Sequence, residues 1–484
     1  MIFNSLHFII FFPIVVMLYF SIAPKRRWIL LLIASYYFYM SWKAEYAILI
    51  FISTVIDYYC GLKMGDIPST QKSKRKKYLY LSLLVNLGML FTFKYFNFFN
   101  ESISSVLGQF HIDFQGPVFK LLLPVGISFY TFQTLSYTID IYNDQLKPTK
   151  HFGKFALFVS FFPQLVAGPI ERAKDLLPQF DQYFEFDYHR AKNGLLLMCW
   201  GFFKKLVIAD RVSIFVNMVF EHPEEHYGLS VILASILFAF QVYCDFSGYS
   251  DIAIGAAQIM GFKLMDNFKR PFFSTSMREF WTRWHISLSY WLRDYIYIPL
   301  GGSQLGIRRQ YLNLMILFTV CGLWHGASWT FVLWGASIGI YVMIEHMTAK
   351  KRRHYFENSF WRNYPKPLKV FQIMITFSFV CFTGFFFRGN SIHDVLLLWK
   401  HMLMFNEAQL SFLSEAYYSK NLIIAIGFIL FMESIHLYQE FNGSVRFKIA
   451  QQPVWIRWAL YAGLIFVILN FGILTQKEFI YFQF

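Results

Sequence analysis

Apolar stretches that approach bilayer-spanning length recur along the chain and alternate with short polar segments. Ile29–Trp42, Leu229–Met260 and Leu422–Ile435 belong to such stretches and contain very few charged residues. A helix needs about 20 mainly apolar residues to cross the hydrocarbon core of a bilayer. The pattern therefore predicts an all-α, polytopic bundle of about 11 to 12 crossings, together with re-entrant or interfacial helices.

Basic residues set the predicted orientation of these helices. Lys and Arg cluster in short loops at Lys25–Arg27, Lys72–Lys77 and Lys350–Arg353, which marks those loops as cytoplasmic. The first apolar stretch, Met1–Ala23, is expected to be retained as a membrane helix, because no basic region precedes it and no clear cleavage site follows it. The loop Asn100–Pro117 contains no Lys or Arg and falls outside, as the rule requires.

The same alternation places the remaining crossings. They are predicted near Tyr78–Phe98, Phe119–Ile139, Gly194–Phe220, Leu229–Met260, Val370–Phe387, Leu422–Leu437 and Trp458–Leu474, with Leu312–Gly326 and Trp329–Glu345 as an apolar pair. Phe155–Val166 is too short to cross and contains Pro163, so a re-entrant or interfacial helix is expected there. The polar and aromatic region Gly261–Gln310 is expected to lie on the cytoplasmic face or to dip into it.

These segments are interpreted as one membrane domain over residues 1–484. N-terminal helices occupy residues 1–140, a core with the re-entrant segments and the candidate catalytic residues occupies 141–350, and C-terminal helices occupy 351–484. The sequence shows no separate soluble domain and no internal repeat. The lack of a repeat weighs against a transporter, because many transporter folds are built from two related halves.

Composition agrees with a membrane protein, and the placement of basic residues and cysteines argues against a nucleic-acid-binding site and a metal site. The 484 residues are 56% hydrophobic and 15% charged, whereas soluble proteins carry about 25% charged residues. The net charge of +15 does not indicate nucleic-acid binding, because the basic residues lie in loops between apolar segments. Metal binding is not predicted either, because the cysteines occur singly at Cys60, Cys199, Cys244, Cys321 and Cys381.

Ionisable residues inside apolar segments are the first candidates for function, because a charge in a bilayer is costly. The list begins with His325, His285, Asp245, Asp251 and Asp57. His325 is followed by Gly326 and other small residues, which permit another backbone or a ligand to come close. A histidine can accept a hydroxyl proton during attack on a carbonyl and return it to the leaving group. A core histidine bonded to a backbone carbonyl is the structural alternative.

Asp245 and Asp251 are six residues apart in one apolar stretch. On a regular helix this spacing places them on different faces, so they do not form an evident acid pair. A structural role is expected, in which they satisfy backbone groups where the helix breaks at Gly248. Glu171 and Arg172 could form ion pairs with neighbours in their loop.

Met277–Gly302, with the sequence MREFWTRWHISLSYWLRDYIYIPLGG, resembles the signature of the membrane-bound O-acyltransferase family and, within it, the branch of the alginate O-acetyltransferase membrane subunit. Further segments resemble the same branch, and they are Pro124–Gln133, Val166–Ile170, Asp245–Asp251, Leu323–Gly326 and Phe479–Phe484. The resemblance thus covers essentially the whole chain. It implies a tunnel that leads to His325 as the active histidine, with His285 as a second histidine.

The resemblance also implies acetyl-CoA as the acyl donor, with no metal. The donor phosphates would be held at the cytoplasmic mouth by cationic side chains, for which the candidates are Lys269, Arg270, Arg283 and Arg293. Each of these residues could instead anchor a lipid headgroup. Donors for the developing oxyanion could come from Ser328, Trp324 or backbone N–H groups. The residues expected along the substrate tunnel are Trp324, Ser328, Asp245 and Tyr290.

The resembled branch acetylates extracytoplasmic polymers such as alginate, other exopolysaccharides, cellulose and peptidoglycan. The expected activity is therefore transfer of acetyl from cytoplasmic acetyl-CoA across the inner membrane of a bacterium. The sequence shows no serine-hydrolase-like domain beside the membrane segments. A separate secreted or membrane-anchored partner of the SGNH-hydrolase type is accordingly expected to complete the transfer to the polysaccharide.

Three alternatives stay open at this point. One is transfer of D-alanyl or another short acyl group to teichoic acid or another envelope polymer. Another is a proton-coupled transporter of envelope precursors, in which the buried His and Asp residues would relay protons. The last is a non-catalytic scaffold, for which His325 would be replaceable without loss.

Overall fold

The computed structural model describes residues 1–114, 116–119, 123–166, 168–405, 410, 416–475 and 479–480. These residues form α-helices joined by loops and short 3₁₀ or π-helical turns, and no β-strand occurs among them. The predicted all-α class is therefore confirmed. Parts of four predicted segments lie outside the described residues, and they are residue 115 of Asn100–Pro117, residues 120–122 of Phe119–Ile139, Ala167 of Val166–Ile170 and residues 481–484 of Phe479–Phe484.

Within the described residues, seven helices are long and apolar enough to cross a membrane. They are Ala44–Gly65, Ser69–Gln109, Leu229–Met260, Trp329–Asn358, Pro365–Arg388, Tyr418–Asn442 and Val454–Phe471. The multi-pass character is confirmed. The other predicted crossings correspond to shorter or less apolar helices, and Gly194–Phe220 is divided by the π-helical turn Phe203–Ala209. Phe152–Leu165 is, as predicted, too short to cross a bilayer.

The chain packs as two compact units. The first consists of Met1–Leu195 and Ile252–Met265, and the second consists of Leu196–Asp251 and Asp266–Phe484. Two helices, Tyr188–Phe202 and Leu229–Met260, contribute residues to both units. The interpretation of residues 1–484 as a single membrane domain remains a prediction.

The first unit contains the N-terminal helices. They are α1 (Leu6–Ser21), α2 (Arg27–Met40), α3 (Ala47–Gly65), α4 (Lys72–Leu90), α5 (Phe96–Gln109), α6 (Ile127–Tyr142), α7 (Phe152–Ser160), α8 (Phe162–Leu165) and α9 (Ala173–Leu176). The short helices α7 and α8 are buried along most of their length and separate at Phe161, just before Pro163. Proline at the start of a helix is favourable because its missing N–H has no partner to lose there.

A polar network joins two helices of this first unit. Asp57 accepts hydrogen bonds from Ser82 Oγ (2.5 Å) and from Asn86 Nδ2 (2.9 Å), and Ser53 Oγ donates to Asn86 Oδ1 (2.6 Å). All four side chains are buried. Burying a polar group is costly unless hydrogen bonds satisfy it. We therefore assign Asp57 to the packing of α3 against α4.

The second unit begins within α10 (Tyr188–Phe202). The helices that follow are α11 (Asp210–Glu221), α12 (Leu229–Met260), α13 (Met277–Arg283), α14 (Ile286–Leu292), α15 (Ile307–His325), α16 (Trp329–Asn358), α17 (Pro365–Arg388), α18 (Ile392–Met402), α19 (Ala416–Asn442), α20 (Val445–Ala450) and α21 (Val454–Phe471). The short helices α13 and α14 occupy the polar, aromatic region that the sequence predicted to be interfacial. The predicted apolar pair Leu312–Gly326 and Trp329–Glu345 corresponds to α15 and α16, which a short loop joins.

Glycine residues allow α15 and α16 to pack closely in their hairpin. A Cβ atom on Gly322 would lie 2.2 Å from the Phe331 carbonyl oxygen, and one on Gly335 would lie 2.1 Å from the Phe318 carbonyl oxygen. Both distances are far below van der Waals contact, so only glycine allows the two backbones to approach this closely. Small residues serve the same purpose in many membrane helix pairs.

Helix α12 runs without interruption from Leu229 to Met260. The predicted helix break at Gly248 is therefore wrong. A Cβ atom on Gly248 would lie 2.8 Å from the carbonyl oxygen of Gly201 in α10. This glycine marks a close helix–helix contact rather than a break. The role predicted for Asp245 and Asp251, to bond backbone groups freed by a helix break, therefore does not apply.

Candidate functional site

His325 ends α15 and is almost completely buried, with 2% of its surface exposed. The helix stops because Gly326 adopts an extended backbone, and Ser328 then caps α16 by accepting a hydrogen bond from the N–H of Thr330 (3.3 Å). Gly326 lies against the ring of Phe331, where a Cβ atom would be 2.1 Å from a ring carbon. The local sequence thus fixes the imidazole at the closed end of the hairpin. Ser328 serves here as the helix cap. Its role as a hydrogen-bond donor to a developing oxyanion remains a prediction.

His285 lies in the turn between α13 and α14 and is fully buried. Its backbone is left-handed, with φ 42° and ψ 54°. This conformation costs a residue with a side chain about 1 to 2 kcal/mol. Strained positions of this kind persist only where the surrounding structure fixes them, and they cluster at functional sites.

Asn267 holds the turn that carries His285. The backbone N–H of Ile286 donates to the Asn267 carbonyl oxygen (3.0 Å), and Ser287 Oγ donates to Asn267 Oδ1 (2.9 Å). Asn267 Nδ2 in turn donates to Ser250 Oγ of α12 (3.3 Å). Asn267 was not predicted from the sequence, because its contacts join segments whose proximity depends on tertiary structure.

The fold brings the two predicted histidines together. The ring centres of His285 and His325 are 6.4 Å apart. The Trp324 ring lies beside both, at 5.7 Å from His285 and 4.9 Å from His325. A substrate group between the two imidazoles would be within hydrogen-bonding reach of both.

An aromatic cavity adjoins His325 within the second unit. The residues that line it include Phe280, Trp281, Trp284, Trp334, Ile338 and Phe387. Two of these residues also contact the His325 ring, since the ring centres of Trp334 and Phe387 lie 5.0 and 5.3 Å from it. Apolar cavities that meet a few polar groups are typical of small-molecule sites. The cavity is the candidate inner end of the predicted tunnel.

Burial also sets the protonation of His285. Removal from water disfavours the charged imidazolium and lowers the pKa of His285 to about 3. The ring is therefore neutral at neutral pH and offers one hydrogen-bond donor and one acceptor. His285 can orient a polar group without bringing a positive charge to it.

Two of the predicted phosphate-binding cations already share a carboxylate. Arg270 Nε lies 2.9 Å from Glu440 Oε2, and a guanidinium nitrogen of Arg283 lies 3.0 Å from Glu440 Oε1. Arg283 also bonds Glu279 Oε1 at 2.6 Å. Before either arginine could bind a phosphate bidentately, it would have to weaken these ion pairs.

The other two predicted cations have exposed side chains. Lys269 is exposed, and its backbone N–H donates to the carbonyl oxygen of Arg283 (2.8 Å). Arg293 bonds Asp294 at 2.7 Å and lies 4.6 Å above the ring of Tyr290, which is 40% exposed. Exposed cations can hold a donor phosphate or a lipid headgroup equally well. The assignment of these residues and of Tyr290 stays a prediction.

Each aspartate of α12 is paired with a buried lysine that was not predicted from the sequence. Asp251 Oδ2 lies 2.8 Å from Lys204 Nζ, and Asp245 Oδ1 lies 2.7 Å from Lys205 Nζ. The two lysines are 3% and 1% exposed. Adjacent lysines inside the predicted crossing Gly194–Phe220 were the available signal, because a cation in an apolar segment requires a partner.

Glu171 lies in the first unit, where it accepts a hydrogen bond from the N–H of Met265 (2.7 Å). Burial raises the pKa of Glu171 to about 8. The side chain is therefore mostly protonated at neutral pH. The expectation that Glu171 and Arg172 take part in ion pairs remains a prediction.

Comparison with known proteins gives consistent matches. A family model for the MBOAT, membrane-bound O-acyltransferase family matches residues 29–387, a range that includes both histidines. The chain is 37% identical to a probable alginate O-acetylase AlgI of Pseudomonas aeruginosa over 417 residues, which cover 86% of this chain and 77% of that one. It is 32% identical to a peptidoglycan O-acetyltransferase of Helicobacter pylori over 511 residues, covering 94% and 91%. It is 27% identical to a teichoic acid D-alanyltransferase of Bacillus subtilis over 290 residues, covering 57% and 71%.

Proposed function

The chain belongs to the membrane-bound O-acyltransferase family, and we propose that it transfers acetyl groups from cytoplasmic acetyl-CoA to hydroxyl groups of an extracytoplasmic polysaccharide. The observation that carries this proposal is the buried pair His285 and His325 beside an aromatic cavity. Acetyl is favoured over D-alanyl as the acyl group, because the O-acetylases match more of the chain, at higher identity, than the D-alanyltransferase does.

A thioester is already activated, so the protein needs chiefly a base, correct positioning and donors toward the developing oxyanion. In the proposed step, His325 takes the proton of the acceptor hydroxyl while the hydroxyl oxygen attacks the acetyl carbonyl carbon. The C–O bond forms and the C–S bond breaks, and the imidazolium returns the proton to the departing thiolate. Neutral His285 would hold a polar substrate group from the other side of the site.

The residues around His325 fit the acetyl end of the donor. Trp334 and Phe387 border both the cavity and the imidazole, and this supports an apolar acyl group next to the proposed base. Exposed Lys269 and Arg293 are better placed to hold the donor phosphates than Arg270 and Arg283, whose charges are shared with Glu440.

We further propose that the protein resides in the inner membrane of a bacterium and works with a separate hydrolase-like partner. Relatives are named for acetylation of alginate and of peptidoglycan, which supports a polysaccharide as the final acceptor. A cytoplasmic donor and an extracytoplasmic acceptor would meet at His325, so the acetyl group would cross the membrane while CoA stays in the cytoplasm.

The purified protein in nanodiscs should release CoA from acetyl-CoA when a hydroxyl-bearing acceptor and a hydrolase-like partner are supplied. We expect release to exceed that of empty nanodiscs by at least about 100-fold, because general-base catalysis alone contributes that much. Acetyl transfer to polymannuronate or to peptidoglycan fragments would be followed by mass spectrometry. A D-alanyl thioester carrier serves as the competing donor.

Two results would contradict this function. Turnover of the D-alanyl thioester but not of acetyl-CoA would assign the chain to D-alanyl transfer. Net movement of an envelope precursor across a proteoliposome membrane, without consumption of either thioester, would assign it to transport.

Replacing Asn267 with alanine should reduce the maximum rate of acetyl transfer by about 10- to 100-fold, because small misplacements of a reacting group are this costly. The change removes the side-chain bonds to Ser287 and Ser250 and so loosens the strained turn at His285. KM for acetyl-CoA should stay unchanged. Steady-state kinetics would check this, with Asn267→Asp as the control that keeps an acceptor for Ser287. Equal rates in wild type and Asn267→Ala would show that the turn is held without Asn267.

A further inference from the structure

The π-helical turn Phe203–Ala209 presents two adjacent lysines to the inside of the second unit. Lys204 bonds Asp251 and also Ser247 Oγ (2.8 Å). Lys205 lies between two carboxylates, 2.9 Å from Asp210 and 2.7 Å from Asp245. The two lysines thus pair with two different aspartates of α12. Of these aspartates, Asp245 also contacts a distant segment of the chain.

Asp245 has a second contact through its other carboxylate oxygen. Asp245 Oδ2 accepts a hydrogen bond from the backbone N–H of Ile480 (2.8 Å). Ile480 and its neighbour Phe479 are both buried, although they follow the last long helix of the chain. A carboxylate that is paired with a lysine accepts a stronger hydrogen bond than a neutral acceptor does.

A series of ring contacts connects this anchored segment to the active site. The ring centre of Phe479 lies 4.6 Å from Tyr249 and 5.5 Å from Phe246. The ring of Phe246 meets the ring of His285 edge-on, with centres 4.6 Å apart and planes at 79°. An edge-to-face contact of this kind has a preferred geometry and fixes the orientation of both rings.

We propose that Lys205 and Asp245 form a buried latch that seats Phe479 and Ile480 and, through Phe246, orients the imidazole of His285. Asp245 is then a positioning residue rather than part of the substrate tunnel. The inference about His285 rests on the proposed function, whereas the seating of Ile480 does not. The Lys204–Asp251 pair supplies a matched control, because it is a lysine–aspartate pair on the same two helical segments.

Hydrogen–deuterium exchange at the Ile480 amide tests the seating without any assay of activity. In the full-length protein in nanodiscs, Asp245→Ala should speed exchange at Ile480 by at least about tenfold, the effect expected for loss of a hydrogen bond to a charged acceptor. Asp251→Ala should leave the rate as in wild type. Equal exchange in wild type and Asp245→Ala overturns the latch.

Kinetics of acetyl transfer test the link to His285. Ile480→Pro removes the donor N–H while leaving the buried ion pairs intact, and it should lower kcat about tenfold with an unchanged KM for acetyl-CoA. Asp245→Asn keeps an acceptor oxygen and should retain more activity than Asp245→Ala. If Asp245→Ala frees Ile480 while Ile480→Pro leaves kcat at the wild-type value, the positioning role is overturned. If the wild type fails to transfer acetyl, the proposed function is overturned, and the exchange measurement still decides the latch.

Discussion

We expect His325→Ala to lower the rate of acetyl transfer by about 100- to 10,000-fold. The substitution removes the proposed base for the hydroxyl proton. His285 does not replace it, because its ring centre lies 6.4 Å away and its pKa, lowered to about 3, makes it a weak base. Release of CoA from acetyl-CoA by the purified variant, with acceptor and partner present, measures the effect. Binding of acetyl-CoA should change little, because the aromatic lining of the cavity remains.

A buried histidine away from the candidate site provides the control for this experiment. His401 is also enclosed in the second unit, where its Nδ1 lies 3.0 Å from the carbonyl oxygen of Pro223 and its ring stacks on Tyr227. His401→Ala should lower thermal stability but keep the catalytic rate of the folded fraction. Equal CoA release by wild type and His325→Ala, in proteins that elute as single species, would remove His325 from the mechanism.

The sequence was sufficient to predict the elements that depend on local pattern. Hydropathy predicted the all-α, multi-pass architecture, and the apolar pair Leu312–Gly326 and Trp329–Glu345 predicted α15 and α16. The motif resemblance selected His285 and His325, which the structure brings together. In these cases the information lies in a few consecutive residues, so a single sequence carries it.

Contacts between distant segments could not be predicted in the same way. Gly248 was interpreted as a helix break because glycine weakens an isolated helix, yet in the folded unit it admits the backbone of Gly201. Lys204 and Lys205 were passed over because their partners in α12 lie 40 or more residues away along the chain. The sequence placed Asp245 along the substrate tunnel, and the structure does not test that role. The structure does show the ion pair of Asp245 with Lys205, which the sequence did not predict.

Gly335→Val should have the largest effect on stability. A Cβ atom at this position would lie 2.1 Å from the Phe318 carbonyl oxygen and 3.1 Å from the Cα atom of Gly322. These are backbone atoms, which cannot rotate away, so α15 and α16 must separate along the hairpin. Overpacking of this kind costs about 3 kcal/mol, and thermal unfolding in detergent would measure the loss.

The same substitution should also reduce catalysis in the molecules that stay folded. Separation of the two helices moves the end of α15, where His325 lies, and a displacement of about 1 Å costs about 100-fold in rate. Gly427→Ala is the matched control, because Gly427 lies in α19 of the same unit. Apart from its chain neighbours and the nearby backbone of its own helix, no heavy atom of the described residues lies within 4 Å of the place that an added methyl group would take. That change should raise stability slightly, since alanine favours a helix by about 1 kcal/mol over glycine. Unfolding of Gly335→Val at the wild-type temperature would show that the hairpin adapts, and that close backbone contact is not what fixes His325.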